Sequence, residues 1–416
     1  MKSMRGLLSV VLVVGVVAAC GRVPGGTANG DFKLYEAVSD SHRIAVIDSQ
    51  SHAIDRWLPL GTPSSDWNHL YSVAGTTLTD TDPQTGSVRS SRQLPGYYQL
   101  PPATMNGLPG GLSQDGRSIV LQSFDSSPGG QPTGSHFLVV NTPLSQAPVQ
   151  VDMKGFFEFD AISNDGQRLY LIEYLSASSY RVRIYNVSTQ QLDPQVVIDK
   201  TDPKDSMTGL RLSGIPSQDG AFLYSIYVRQ TDSPFIHALT LDGGPIAFCI
   251  DLPGSGYQAD GNGFSWSLAM SADGSRLYAA NAATGSVSEV DLGSSLSVAR
   301  TVQVDSGKPV AAVLAQDVNA KELGTSAAVV SLDGKTLVTA ASSGIVWIDT
   351  SSLHASVHSL AGWTVSGLAL SPDGKVLYAL SDSGKIAEIS MGSRQVAATF
   401  DPAAGNPLAL MRVEAG

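Results

Sequence analysis

One short pattern recurs along the chain and leaves few folds open. It reads Ser-x-Asp-Gly followed by an apolar run: "SQDGRSIVLQ" from residue 113, "SNDGQRLYLI" from 163, "SQDGAFLYSI" from 217, "SADGSRLYAA" from 271, "SLDGKTLVTA" from 331 and "SPDGKVLYAL" from 371, with a degenerate copy, "SSDWNHLYSV", from 64. The aspartates are Asp66, Asp115, Asp165, Asp219, Asp273, Asp333 and Asp373, at intervals of 49, 50, 54, 54, 60 and 40 residues. Self-similarity at such a period marks structural units stacked on one another.

Each interval parses as four short strands. After the last copy, "KVLYAL", "KIAEIS" and "QVAATF" follow one another across Asp-Ser-Gly and Met-Gly-Ser, while "VSGLAL" leads into the turn. Apolar runs bounded by Gly, Ser, Asp and Pro are strand signals, and about 50 residues hold four strands with their loops. Four antiparallel strands per repeat make one blade of a β-propeller, so the expected fold is all-β. Its strands are nearly continuously apolar, as blades covered on both faces by neighbours require.

The turn has its own chemistry. Ser and Gly take the outer positions of a type I turn, Pro372 sits where φ near −65° is wanted, and Gly374 tolerates φ > 0. The aspartate accepts hydrogen bonds from nearby amides, which makes all seven aspartates structural. Trp67 replaces the glycine in the degenerate copy, and a bulky residue disfavours positive φ, so a different backbone path is expected there.

The repeats resemble the YVTN-type β-propeller repeats of surface-layer and periplasmic proteins, most clearly in "SADGSRLYAANAATGSVSEVDLGSS" from residue 271. The likeness covers about 350 residues. The tetrapeptide behind the family's name is approximated by "YAAN" from 278. WD40 repeats are a weaker match, because "VWIDT" from 346 is the only near relative of their Trp-Asp pair.

After "QVAATF" the chain continues "NPLALMRV", an innermost-strand pattern without its turn, and "FKLYEAV", "HRIAVIDS" and "AIDRWLPL" near the other end supply the remaining strands. A composite blade joining both termini is therefore expected, which removes the free sheet edges. With seven motif-bearing units this makes eight blades. Seven is the alternative, since only 18 residues separate Asp48 from Asp66 and family members are commonly seven-bladed.

The start of the chain, "MKSMRGLLSVVLVVGVVAACGRVPGG", has Lys2 and Arg5, an apolar stretch from Leu7 to Val17 and small residues up to Cys20, the layout of an export signal. The apolar part is too short to span a bilayer. Val17-Ala18-Ala19-Cys20 resembles the bacterial lipobox, which implies cleavage before Cys20 and a diacylglycerol on its thiol. The expected organisation is signal peptide 1–19, lipidated Cys20 and flexible tether 20–32, and propeller 33–416. The place implied is the bacterial cell envelope, lipid-anchored and facing outside the cytoplasm. Cys249, the other cysteine, lies among Ile246, Ala247, Phe248 and Ile250 and reads as a small buried hydrophobe.

The formal charge is −11, or −11 − 2 = −13 without Lys2 and Arg5. No basic run follows the first residues, so nucleic acid is not an expected partner. Catalytic signatures are missing as well: no Gly-x-Ser-x-Gly, no His-Glu-x-x-His, no Cys-x-x-Cys, no phosphate or dinucleotide glycine loop. "DTDPQTG" from 80 mimics the start of a calcium loop but lacks its glycine and glutamate, and reads as a strand end with a turn. No cofactor or metal site is expected.

Function points instead to the face opposite the repeated turns, where the crossover loops between units are rich in aromatics. Tyr97, Tyr98, Phe156, Phe157, Tyr257, Phe264, Trp266 and Trp363 are candidates to ring the mouth of the channel, either as anchors for a partner or as packing for the loop bases. Glu158, Asp160, Arg211 and Asp260 are their polar neighbours. The crossover from 306 to 327 departs most from the repeat. The expected function is a membrane-anchored, non-enzymatic binding or scaffold module for protein, peptide or cell-surface polymer. The alternative is a lactonase-like propeller hydrolase with a divalent metal held by carboxylates at the channel mouth.

Overall fold

The computed structural model describes residues 30–125, 130–176, 179–199, 206–260, 262–293, 295–304 and 327–416. The export signal, Cys20, most of the tether and nearly all of the 306 to 327 crossover lie outside the described residues.

Nearly all regular structure is β, and the one helix among the described residues is the single turn Tyr257–Asp260. Strand order resolves into antiparallel units in chain order. Most are four-stranded, such as Trp266–Met270, Arg276–Asn281, Ser286–Asp291 and Ser297–Gln303 in the sixth. The fourth and fifth units form one eight-stranded sheet, joined by a short parallel contact of Ile198 and Asp199 with Ile246 and Ala247. In the first unit the last strand of the chain, Pro407–Ala415, pairs with Phe32–Val38, which continues into Arg43–Asp48 and Ile54–Pro59. The arrangement is all-β and consistent with a β-propeller.

Two units depart from four full strands, each for a readable reason. The short stretch after Asp48 leaves the second unit a first strand of two residues, Thr62–Pro63. The third unit has three strands, and isolated bridges of Gln99 and Leu112 to Gln122 and Ile119 replace its innermost strand. Pro101, Pro102 and Pro109 lie between those bridges, and proline has no N–H to give a ladder.

Strand alternation explains the packing. Successive side chains point to opposite faces, so Tyr35, Ile44 and Val46 pack with Trp67 and Leu70 of the second unit. Leu34, Ala45 and Ile47 of the same strands pack with Tyr378 and Leu380 of the eighth. The buried members of the six other clusters each come from one pair of neighbouring units in the same way. Middle strands such as Val376–Ser381 are buried throughout, whereas the outermost Ser297–Gln303 and His354–Ser359 alternate between exposed and half-buried.

All seven Ser-x-Asp turns share one hydrogen-bond design. The serine hydroxyl donates to its aspartate at 2.5 to 2.7 Å. An amide two residues on donates to the same carboxylate at 2.9 to 3.1 Å. The following amide donates to the serine oxygen at 2.9 to 3.0 Å. The serine hydrogen bond is the leading reason the carboxyl of Asp373 sits below its ordinary range. Asp373→Ala is expected to lower stability by about 1 kcal/mol in chemical denaturation, with ligand capture unchanged; lost capture at unchanged stability would make the turn functional.

The different path expected at Trp67 is not taken. Trp67 adopts φ 55°, and its N–H donates to Ser64 O at 2.9 Å, as Gly374 (φ 66°) does to Ser371 O at 2.8 Å. The shared hydrogen bonds hold the turn, and the indole is buried against Tyr35 with ring centroids 4.9 Å apart. Burial of so large a ring, typically about 3 to 5 kcal/mol on truncation, outweighs a left-handed backbone of about 1 to 3 kcal/mol. "DTDPQTG" is a strand end and turn, in which Asp82 accepts from the amides of Gln84 and Thr85.

Candidate functional site

The prolines that dissolve the innermost strand of the third unit send the chain on an excursion. It leaves and rejoins the strand Ser118–Phe124, and is held narrow by Ala103 N–H to Leu108 O and Gly110 N–H to Pro101 O, both 2.7 Å. Its tip reaches other units. Met105 N–H donates to Leu212 O at 2.8 Å in the fifth, and Asn106 Nδ2 to Leu408 O at 3.1 Å in the first. Thr62 Oγ1 of the second unit donates to Gly110 O at 2.7 Å. Residues 99–111 thus form a strap tying together the innermost strands of several units.

Beneath the strap lie three polar residues singled out from sequence. Glu158 and Asp160 are on Phe157–Ile162, and Arg211 is near the start of Leu210–Pro216. Asp160 is the extra residue of a β-bulge between Phe159 and Ala161, which re-aims its side chain. Arg211 Nη1 donates to Asp160 Oδ1 at 2.6 Å and Nη2 to Pro102 O at 2.9 Å, so one guanidinium ties the fourth unit, the fifth unit and the strap. Burial works against the charge on Arg211, but Asp160, followed by Tyr227 and Glu158, outweighs it and raises its pKa.

Around this pair stands a ladder of rings: Phe156 stacks on Tyr174 at 4.7 Å, Tyr180 on Tyr227 at 5.7 Å and Tyr227 on Phe235 at 5.2 Å. Tyr174 Oη donates to Glu158 Oε2 at 2.7 Å. Among the described residues the hydroxyls of Tyr180 (3% exposed) and Tyr227 (1%) have no partner, nor do Asp160 Oδ2 and His237 Nε2. Unpaired polar atoms at such depth are unusual. Burial pushes all three tyrosine hydroxyls up and His237 down, which favours the neutral imidazole. Cys249 packs half-buried against the same cluster, and burial, then Asp199, pushes its thiol up, which favours the protonated form.

Two cavities flank the Arg211–Asp160 pair. One, about 210 Å³, is lined by Glu158, Tyr174, Tyr180, Tyr227, Leu210 and strap residue Met105. It lies at the starts of the first strands, away from the repeated turns. The other, about 270 Å³, extends past Asp160 toward Ser113 and Gln114.

The remaining candidates are dispersed. Phe157 and Trp266 are buried first-strand residues packed between units. Tyr98 packs between the second and third units and Trp363 between the seventh and eighth. Tyr257 lies 4.7 Å from Phe264, beside the cluster joining the fifth and sixth. Tyr97 is 79% exposed, and Asp260 ends the helical turn Tyr257–Asp260. Most of these rings pack at the interface between units nearest their own loop. Sequence reading missed Tyr174, Tyr180 and Tyr227. Their signal is tyrosine, with a hydroxyl to satisfy, at or next to the ends of the strands Arg168–Tyr174, Tyr180–Asn186 and Phe222–Val228. Among the described residues no three His, Cys, Asp or Glu side chains are grouped so as to hold a metal ion.

No protein-family model matches the chain, and no curated protein matches it. Among solved structures it is similar to apo AztD from Citrobacter koseri, with 11% identity over 93% of this chain and 97% of that one and a TM-score of 0.55. It is also similar to the dihydro-heme d1 dehydrogenase NirN in complex with DHE, with 15% identity over 91% of this chain and 74% of that one and a TM-score of 0.52. At these identities the likeness is one of fold.

Proposed function

We propose that this chain is a lipid-anchored, extracytoplasmic binding module, built on an eight-bladed β-propeller closed by both termini, whose ligand site is the cavity beneath the 99–111 strap. The observation that carries the binding reading is a cavity walled by Tyr180 and Tyr227, whose buried hydroxyls have no partner among the described residues, beside an ion pair. Groups left unsatisfied in a free protein are what a ligand completes. Eight interface clusters, including one that joins the first unit to the eighth, support the closed eight-bladed ring.

The anchor and the extracytoplasmic placement rest on the lipobox resemblance at Cys20 and the YVTN-type repeats. The ligand is a group on a protein, peptide or envelope polymer, or a small molecule of the same chemistry. Crosslinking in intact cells is expected to join the propeller to an envelope component, and recovery of the uncrosslinked chain alone overturns the binding reading. Cys20→Ser is expected to abolish metabolic labelling with a fatty acid; persistent labelling overturns the anchor.

A further inference from the structure

Resting on the reading of the strap-roofed cavity as the ligand site, we infer that the group it takes is an organic cation: an ammonium carried on an apolar or aromatic body. Three features of the wall select this class. Glu158 gives one carboxylate oxygen to Tyr174 and leaves Oε1 without a hydrogen-bond partner among the described residues. The rings of Tyr174, Tyr180 and Tyr227 line the same space; Tyr227 is stacked by both Tyr180 and Phe235, whereas Tyr174 and Tyr180 each have one stacked neighbour, and aromatic faces attract cations. The hydroxyl oxygens of Tyr180 and Tyr227, buried and without a partner among the described residues, leave this wall with acceptor capacity that no protein donor uses.

The charge count points the same way. Glu158 and Arg211 line the cavity, and the guanidinium is already paired with Asp160 behind the lining, so the carboxylate of Glu158 is the charge left for a ligand. An anionic ligand has only Arg211 to turn to. Nη1 is held by Asp160 and Nη2 by Pro102 O. An anion drawn to the remaining N–H groups of Arg211 would compete with Asp160, 5% exposed and already carrying one unpaired oxygen, for the same positive charge. A cation meets no such competition. Met105, Leu210 and Ile172 provide the apolar surface for the body, and about 210 Å³ sets its size at a small amine or a single side chain.

The test uses three probes of one shape, phenethylamine, phenylacetate and 2-phenylethanol, titrated calorimetrically into the full propeller domain at fixed ionic strength. Phenethylamine is expected to bind at least ten-fold more tightly than either of the others. Glu158→Gln is expected to weaken it at least ten-fold with the unfolding midpoint unchanged, and Leu210→Trp, which fills the cavity from a surface position, to do the same. Equal or tighter binding of phenylacetate, sensitive to Leu210→Trp, overturns the cation class and keeps the cavity as the ligand site. Phenethylamine binding that ignores both substitutions overturns the inference, as does the absence of binding by all three probes. Crosslinking in intact cells judges the binding reading independently of either result.

Discussion

Replacing Glu36 by Gln is expected to flatten most of the fall in stability that the parent protein shows as pH rises from about 4.5 to about 8. Glu36 is 0% exposed, and neither carboxylate oxygen has a partner among the described residues. Strand alternation puts it on the face of Leu34 and Val38, against the eighth unit. Burial, followed by the charge of Asp401, raises its pKa from 4.5 to about 8. Between those values the folded protein holds a proton that the unfolded chain has released. The unfolded state therefore binds fewer protons, and stability declines as pH rises. Over that window the loss is roughly 4 kcal/mol. Urea unfolding at a series of pH values measures it. Glu36→Gln removes the ionisation and is expected to be the more stable protein at pH 8, with a smaller residual slope from Glu388, whose pKa burial also raises. A parent protein equally stable at pH 5 and pH 8 would contradict the assignment.

Arg211→Met is expected to destabilise the protein by about 3 to 5 kcal/mol, since it leaves the carboxylate of Asp160 buried without its counter-charge. It also removes the donor to Pro102 O that ties down the strap. The double substitution Asp160→Leu with Arg211→Met is expected to recover most of that loss, because an apolar pair of similar volume avoids the desolvation of both charges. The denaturation midpoints of the two single variants and the double variant give the coupling directly. Strict additivity would mean that the two side chains do not stabilise each other.

Much of this architecture was legible because it is periodic. Seven copies of one turn reveal strand number, strand order and the face on which the turns lie, and an alternating apolar pattern needs no tertiary knowledge to interpret. What stayed hidden depends on contacts that no local pattern encodes. Trp67 takes a glycine's backbone conformation because Tyr35, in the neighbouring unit, covers its ring. The Pro-rich 99–111 segment reads locally as a loop, and only its bonds to Leu212 and Leu408 make it a strap. Glu158, Asp160 and Arg211 were visible as polar residues in crossover loops, yet the Arg211–Asp160 pair joins residues 51 apart in sequence. Glu36, in "FKLYEAV", gave no sign that its face of the strand would be fully covered.

The central claim, a ligand site under the strap and away from the repeated turns, is tested most directly by site-specific photo-crosslinking in intact cells. A photoreactive phenylalanine analogue replaces Leu210, which lines the cavity, or Leu332, which is 57% exposed in the repeated turn of the seventh unit. Mass spectrometry of the purified protein then detects any adduct. A discrete adduct from position 210 and none from position 332 is the predicted result; adducts from position 332 alone, or equally from both, would contradict it.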